Sequence, residues 1–285
     1  MGRGADVAAL ASGLVVADQV RRAHARAARR RAAAPQRDAA VTSALREATT
    51  PDEPFVAIVI AAWNEAASLP GVLDALPRRL SGLDVRAIVV DDGSTDETAL
   101  LAAKGGAVVA RHPTNLGQGD GLRTGFALAL ALGSTVVVTM DADGQHDPGE
   151  LPALVGPVVA DEADYVQGSR FLGRYDDARG ARHAGIVGFT ALINRLAGTR
   201  ITDCTNGFRA IRASGLARMN LVEDRFSASE IIIQAAAGGL RMLEVPVHIR
   251  SRDSGTSKKP KGLGYPLGYL GVILRSAARR GRGHP

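Results

Sequence analysis

The 285-residue chain has a single cysteine, Cys204, which excludes any intramolecular disulfide and fits a reducing, cytoplasmic setting. Aromatic residues make up only 4% of it. A nucleic-acid binder would set aromatics into a basic face, yet residues 51 to 249 hold 24 acidic side chains against 17 Lys and Arg, so no nucleic-acid partner is expected. Long apolar runs are missing too. Val7 to Ala17 is eleven residues bracketed by Asp6 and Asp18, well short of the roughly 20 that a membrane span needs. Asp6 also spoils the basic start of a signal peptide.

What the chain does have is positive charge at both ends. Residues 1 to 50 carry nine Arg against four acids, and residues 250 to 285 carry nine Lys and Arg against one. Basic flanks without a span suit an anionic membrane surface, such as the inner face of the cell membrane, or serve as solubilising tails. The 46% hydrophobic content supplies a sizeable core, enough for one large α/β domain with extensions or for two small domains. Composition divides the chain at Thr50-Pro51-Asp52-Glu53-Pro54 and after Arg250. An Ala/Arg-rich extension occupies 1–50, read as a helix with a linker around Pro35; a catalytic domain spans 51–250; a basic loop and amphipathic helix fill 251–285.

Within 51–250, apolar strand and amphipathic helix alternate. Strands are expected at Phe55 to Ala62, Val85 to Val90, Ala107 to Arg111, Val136 onward, Tyr165 to Gly168 and Leu243 to Ile249. Helices are expected up to Leu80, at Leu122 to Leu132, Leu151 to Val159, Ala184 to Ala197 and Ser227 to Ala237. In open α/β sheets ligands bind at the carboxyl ends of the strands, where Asn64-Glu65, Asp91-Asp92 and Asp141-Ala142-Asp143 fall. Asn115-Leu116-Gly117-Gln118-Gly119 lacks dinucleotide-fingerprint spacing and reads as a glycine loop that lets backbone approach a ligand. Arg174, Arg179 and Arg182 lie in a glycine-containing segment read as a mobile lid.

The stretch Val136 to Pro148 organises the rest. If its backbone stays extended past the β-branched run, Asp141, Asp143 and Gln145 point to one side and offer hard oxygen ligands to Mg²⁺ or Mn²⁺. His146 either orients this loop or ligates.

Taken in order, the motifs resemble a family 2 glycosyltransferase with the GT-A fold, close to the polyprenyl-phosphate and dolichol-phosphate mannosyl- and glucosyltransferases. The carriers are Ala62-Trp63-Asn64-Glu65, Asp91-Asp92-Gly93-Ser94, Asn115-x-Gly117-x-Gly119, Asp141-Ala142-Asp143-Gly144-Gln145-His146, Gly168-Ser169-Arg170, Asp203-x-Thr205-Asn206-Gly207-Phe208-Arg209, Glu244-Val245-Pro246 and Arg252-x-x-Gly255-x-Ser257-Lys258. The resemblance implies a mixed, mostly parallel sheet. It implies that Ala62, Asn64, Glu65, Asp92, Gly119, Asp141 and Ala142 line the site of a nucleotide sugar of GDP-mannose or UDP-glucose type. Asp141, Asp143 and Gln145 would hold the metal, while Arg170, Arg209, Arg252 and Lys258 would gather around the diphosphate and a polyprenyl-phosphate acceptor. The family usually has proline at Ala61 and lysine at Gln118. Inverting transfer to a phosphate needs no strong general base, because the acceptor oxygen is already anionic. A hydroxyl acceptor would need a carboxylate within reach, and Glu230 and Asp203 are the candidates.

Overall fold

The structure, a computed structural model, describes residues 3–176, 180–250 and 264–280. The core is one mixed sheet flanked by helices on both faces. Four parallel strands, β1 (Phe55–Ala62), β3 (Leu83–Asp91), β4 (Val108–Arg111) and β5 (Val136–Thr139), form its first half. The hairpin strand β2 (Arg79–Leu80) shares the outer edge of β3 with β4. Beyond β5 comes β7 (Arg209–Arg212), antiparallel to its neighbours, then β6 (Tyr165–Tyr175) with β8 (Met242–Ile249) parallel to it.

The side-chain alternation of β1 shows how sequence builds the layers. Phe55, Ala57 and Val59 join the core under α1 (Arg3–Glu47), α4 (Gln118–Ala131), α6 (Gly180–Ala197), α8 (Ser227–Ala237) and α9 (Gly264–Arg280). Val56, Ile58 and Ile60 face α2 (Leu69–Asp74), α3 (Thr98–Lys104) and α5 (Leu151–Val159). Both faces are covered, so the strand is a continuous apolar run with no polar alternation. A single turn, α7 (Ala213–Leu216), follows β7.

Three expectations are corrected, and the expected C-terminal helix is placed. The helix expected to reach Leu80 stops at Asp74, because Pro77 disfavours helical backbone at Leu76 and the left-handed pair Ser81-Gly82 closes a hairpin instead. The expected linker around Pro35 is helical: α1 runs unbroken to Glu47, with Ala33, Ala40 and Ala44 buried along one stripe. That burial against α4 and β4 offsets the one hydrogen bond Pro35 cannot make. β6 continues past Gly168, so Arg174 belongs to a strand rather than a lid; Arg179 lies outside the described residues, and Arg182 falls in α6. Finally, α9 packs through Tyr269, Val272, Ile273 and Ser276, which turns Leu267 and Leu274 outward at 69% and 49% exposure.

Candidate active site

The carboxyl ends of β1, β3 and β5 share one edge of the sheet, and α4 opens on it. Asn64, just past β1, adopts a left-handed conformation (φ 52°) that its short amide side chain tolerates. Its N–H donates to Ser94 Oγ at 2.9 Å and its Oδ1 accepts from the Thr95 N–H at 2.8 Å. The Glu65 N–H donates to Thr98 Oγ1, and Glu65 Oε2 accepts from Ser68 Oγ, both at 2.9 Å. Asn64 and Glu65 thus lace the first loop to the second, while Ala62 is buried beneath them.

Asp92 was expected at the nucleoside. It is buried, and its carboxylate accepts from the N–H groups of Leu116 (2.9 Å) and Gly117 (2.8 Å) and meets His112 Nδ1 at 2.7 Å. Its role is to anchor the glycine loop. His112, held on its other side by Thr124 Oγ1 at 2.9 Å, is a residue the sequence reading missed. The register gives it away: β3 and β4 pair Asp91 with Arg111, which brings the next residues, Asp92 and His112, alongside. Gly119 also packs on protein. Its N–H donates to Asp224 O at 3.0 Å, and a Cβ there would stand 2.2 Å from Glu223 O.

The aspartate loop departs from extended geometry. β5 ends at Thr139, and Ala142 to Gly144 make a turn that Gly144 closes at φ 74°. Asp141 and Asp143 are half-buried on this turn. Gln145, expected as a third ligand from strand alternation, also ties the loop to the end of β8: its Nε2 donates to Arg250 O at 2.9 Å, and its backbone O accepts from the Arg250 N–H at 3.0 Å, and neither bond uses Oε1, the atom a cation would take. Its N–H donates to Asp143 Oδ1 at 3.2 Å. Gln118, the first residue of α4, brings its Nε2 to 3.5 Å from Asp141 Oδ1.

His146 orients this loop from below. Nδ1 accepts from the Asp141 N–H at 3.0 Å, so the ring proton sits on Nε2 and goes to Asn206 Oδ1 at 3.1 Å. Burial pushes its pKa down against the pull of Asp141 and Asp143, which keeps the ring neutral, and it stacks on Phe208 with centroids 4.7 Å apart. Both nitrogens are spoken for, so His146 is not a ligand. Among the described residues no group of three His, Cys, Asp or Glu side chains could hold an ion. Two carboxylates on a turn nevertheless fit a hard cation that takes its remaining oxygens from a diphosphate and water.

Of the four expected phosphate-binding cations, the structure brings one to this edge. Arg170 Nε lies 2.6 Å from Asp203 Oδ2, Nη2 donates to Thr205 Oγ1 at 3.2 Å, and the guanidinium sits 5.0 Å over the Tyr175 ring. Arg209 is corrected: it is 1% exposed and spends its guanidinium on Tyr165 Oη and the carbonyls of Ala228 and Asn206 inside the core. Arg252 and Lys258 lie outside the described residues.

Glu230 is corrected as well. It is fully buried; Oε1 accepts from the Val222 N–H at 2.9 Å and Arg279 Nη2 at 2.6 Å, and Oε2 accepts from the Glu223 N–H at 2.8 Å. Burial raises its pKa even so. Cys204, a buried thiol whose pKa burial raises, is no nucleophile.

Comparison with known proteins bears on the whole arrangement. The sequence profile of glycosyl transferase family 2 matches residues 57–219. An undecaprenyl-phosphate mannosyltransferase of Micrococcus luteus is 32% identical over 219 residues, covering 73% of this chain and 88% of that protein. A dolichyl-phosphate hexose transferase of Haloferax volcanii is 32% identical over 215 residues, covering 75% and 90%. The crystal structure of glucosyl-3-phosphoglycerate synthase from Mycobacterium tuberculosis with Mn²⁺, UDP and phosphoglyceric acid superposes with a TM-score of 0.62 at 22% identity, over 80% of this chain and 78% of that one. The sheet, the profile match over more than half the length and these relatives agree: the chain belongs to glycosyl transferase family 2, an enzyme family of GT-A fold.

Proposed function

We propose that the protein is an inverting, metal-dependent hexosyltransferase that moves a sugar from a nucleotide sugar to a polyprenyl phosphate. The observation carrying the choice of acceptor is that neither carboxylate candidate for a general base is free. Glu230 is enclosed with Arg279, and Asp203 holds Arg170 with one oxygen and the Thr205 N–H with the other, at 3.0 Å. A hydroxyl acceptor would lack its proton acceptor among these candidates; a phosphate monoester, with a second pKa of about 6, needs none. Relatives named for undecaprenyl-phosphate and dolichyl-phosphate transfer support the same reading.

A divalent ion, Mg²⁺ or Mn²⁺, held by Asp141 and Asp143 would neutralise the diphosphate as it leaves. The chain's own residues do the rest. Asn64 and Glu65 border the nucleoside, and the N-terminus of α4 with Gln118 faces the diphosphate. Arg170, held rigid by Asp203 and Tyr175, presents a planar fork to phosphate oxygens. No described helix is long and apolar enough to cross a membrane. Contact with the lipid acceptor is assigned to the outward Leu267 and Leu274 of α9 and the basic flanks, at the inner membrane face.

The test is transfer from radiolabelled GDP-mannose, UDP-glucose and UDP-N-acetylglucosamine to polyprenyl phosphate with Mn²⁺. Labelled lipid that disappears on adding EDTA is the expected result. No product from any donor would refute the reading.

A further inference from the structure

Helix α9 is bonded to both walls of the candidate site. On one side the Tyr269 hydroxyl donates to Cys204 O at 3.0 Å. Cys204 lies inside the turn whose Asp203 side chain grips Arg170, and whose Asn206 Oδ1 accepts from Nε2–H of His146, the ring whose Nδ1 accepts from the Asp141 N–H. Phe189 and Phe226 pack on the Tyr269 ring with centroids 4.7 and 5.2 Å away, and the hydroxyl also lies 3.5 Å from Cys204 Sγ.

On the other side Arg275 makes a two-pronged contact with Glu223, Nε to Oε1 at 3.1 Å and Nη2 to Oε2 at 2.6 Å. Arg279 bridges Glu223 Oε1 (2.9 Å) and Glu230 Oε1 (2.6 Å). Glu223 is 2% exposed, so its charge is held by these guanidinium groups and, at 3.7 Å, by Arg30 of α1. The backbone that Glu223 fixes is the seat of the glycine loop: Asp224 O accepts from Gly119, Glu223 O accepts from Arg123 Nη1 at 3.0 Å, and the seat is close enough that a Cβ added at Gly119 would fall 2.2 Å from Glu223 O.

We infer that α9 sets both walls of the site together, with Tyr269 a positioning residue for the Asp203–Arg170 turn and Arg275 and Arg279 positioning residues for the glycine loop. The inference rests on the reading of those two walls as acceptor and donor sides. Since the same helix carries the outward Leu267 and Leu274, a surface that receives α9 is linked to the geometry of both substrates through two separate sets of bonds.

Hydrogen–deuterium exchange on the full chain tests this without relying on activity, using Tyr269→Phe, which keeps the ring packing, and Arg275→Gln. Tyr269→Phe should speed exchange in residues 202–206 about fivefold, the scale of one hydrogen bond, and leave 117–123 unchanged. Arg275→Gln should do the reverse, and Arg275→Lys should restore part of the protection. With labelled donor and lipid phosphate, the first variant should lower kcat at unchanged donor KM, and the second should raise donor KM. Uniform acceleration across the chain, or no change at either wall, overturns the inference. If the local pattern holds while no donor supports transfer, the coupling stands and the proposed function falls.

Discussion

Gln118 Nε2 stands 3.5 Å from Asp141 Oδ1, so the first residue of α4 and the first carboxylate of the aspartate turn are in polar contact across the site. A neutral amide there sets no competing positive charge beside the carboxylate. Gln118→Lys would place an ammonium beside that carboxylate and should weaken Mn²⁺ binding to the free protein by about tenfold, the scale of a Coulomb term near 1 to 2 kcal/mol at a partly exposed site. Calorimetric titration with Mn²⁺ alone reads the effect.

Asp143→Ala should cut transfer by about a hundredfold or more, as expected when several kcal/mol of charge stabilisation on the leaving diphosphate is lost. Gln145→Ala should cost less, about tenfold in metal affinity, because a neutral amide oxygen is a weaker ligand than a carboxylate and its Nε2 also holds the loop to Arg250 O. Comparing Mn²⁺ dependence of initial rates for the two variants separates a ligand from a tie.

Glu230→Gln distinguishes a base from a structural carboxylate. Both oxygens accept from backbone N–H groups, so an amide must set an NH₂ against a donor, and the charge that faces Arg279 is lost. A loss of about 3 kcal/mol in stability is expected, read by urea denaturation, with kcat per folded molecule retained within a few-fold. Loss of kcat at full stability would restore the hydroxyl-acceptor mechanism.

Much of this site was legible in the sequence, and the losses share one cause. The order of apolar strand, acidic tip and helix start located Asn64, Asp92, Asp141 and Asp143 at one sheet edge, because period and turn chemistry are local properties. Whether a polar side chain there faces substrate or protein depends on partners far along the chain. Arg209 reads as a phosphate binder until Tyr165 and Ala228 enclose it, and Asp92 reads as a nucleoside contact until Leu116 and Gly117 turn their N–H groups toward it. The extended backbone assumed for Asp141, Asp143 and Gln145 ends at Thr139, because Gly144 takes a positive φ and turns the loop.

Gly119→Ala should destabilise the fold by about 1–3 kcal/mol, since the new methyl lands on the Glu223 carbonyl and backbone on both sides must shift. Thermal unfolding should show the loss, and donor KM should rise with it.

Stability should depend on acid through Glu223. Burial alone would raise its pKa, but the hydrogen bonds and charges of Arg275 and Arg279 outweigh that and leave it below the ordinary value. A lowered folded pKa means stability present above the unfolded value, about 4.3, and lost as pH falls through the folded one. Glu230, raised by burial, acts in the opposite sense, so the informative quantity is a difference. The gap in urea midpoint between the wild-type protein and Glu223→Gln should be constant from pH 7 to about 5 and close below pH 4.

The alanine stripe of α1 has a consequence for how the chain comes together. Ala33, Ala40 and Ala44 emerge from the ribosome before the surface that receives them, which is made by α4 and β4 some seventy residues later. Until that surface forms, nothing offsets the hydrogen bond that Pro35 cannot make, so the 45-residue helix is held unbroken only once α4 and β4 are in place. Docking of the first segment is therefore among the later events of folding, and a nascent chain halted before residue 131 would hold α1 without its berth.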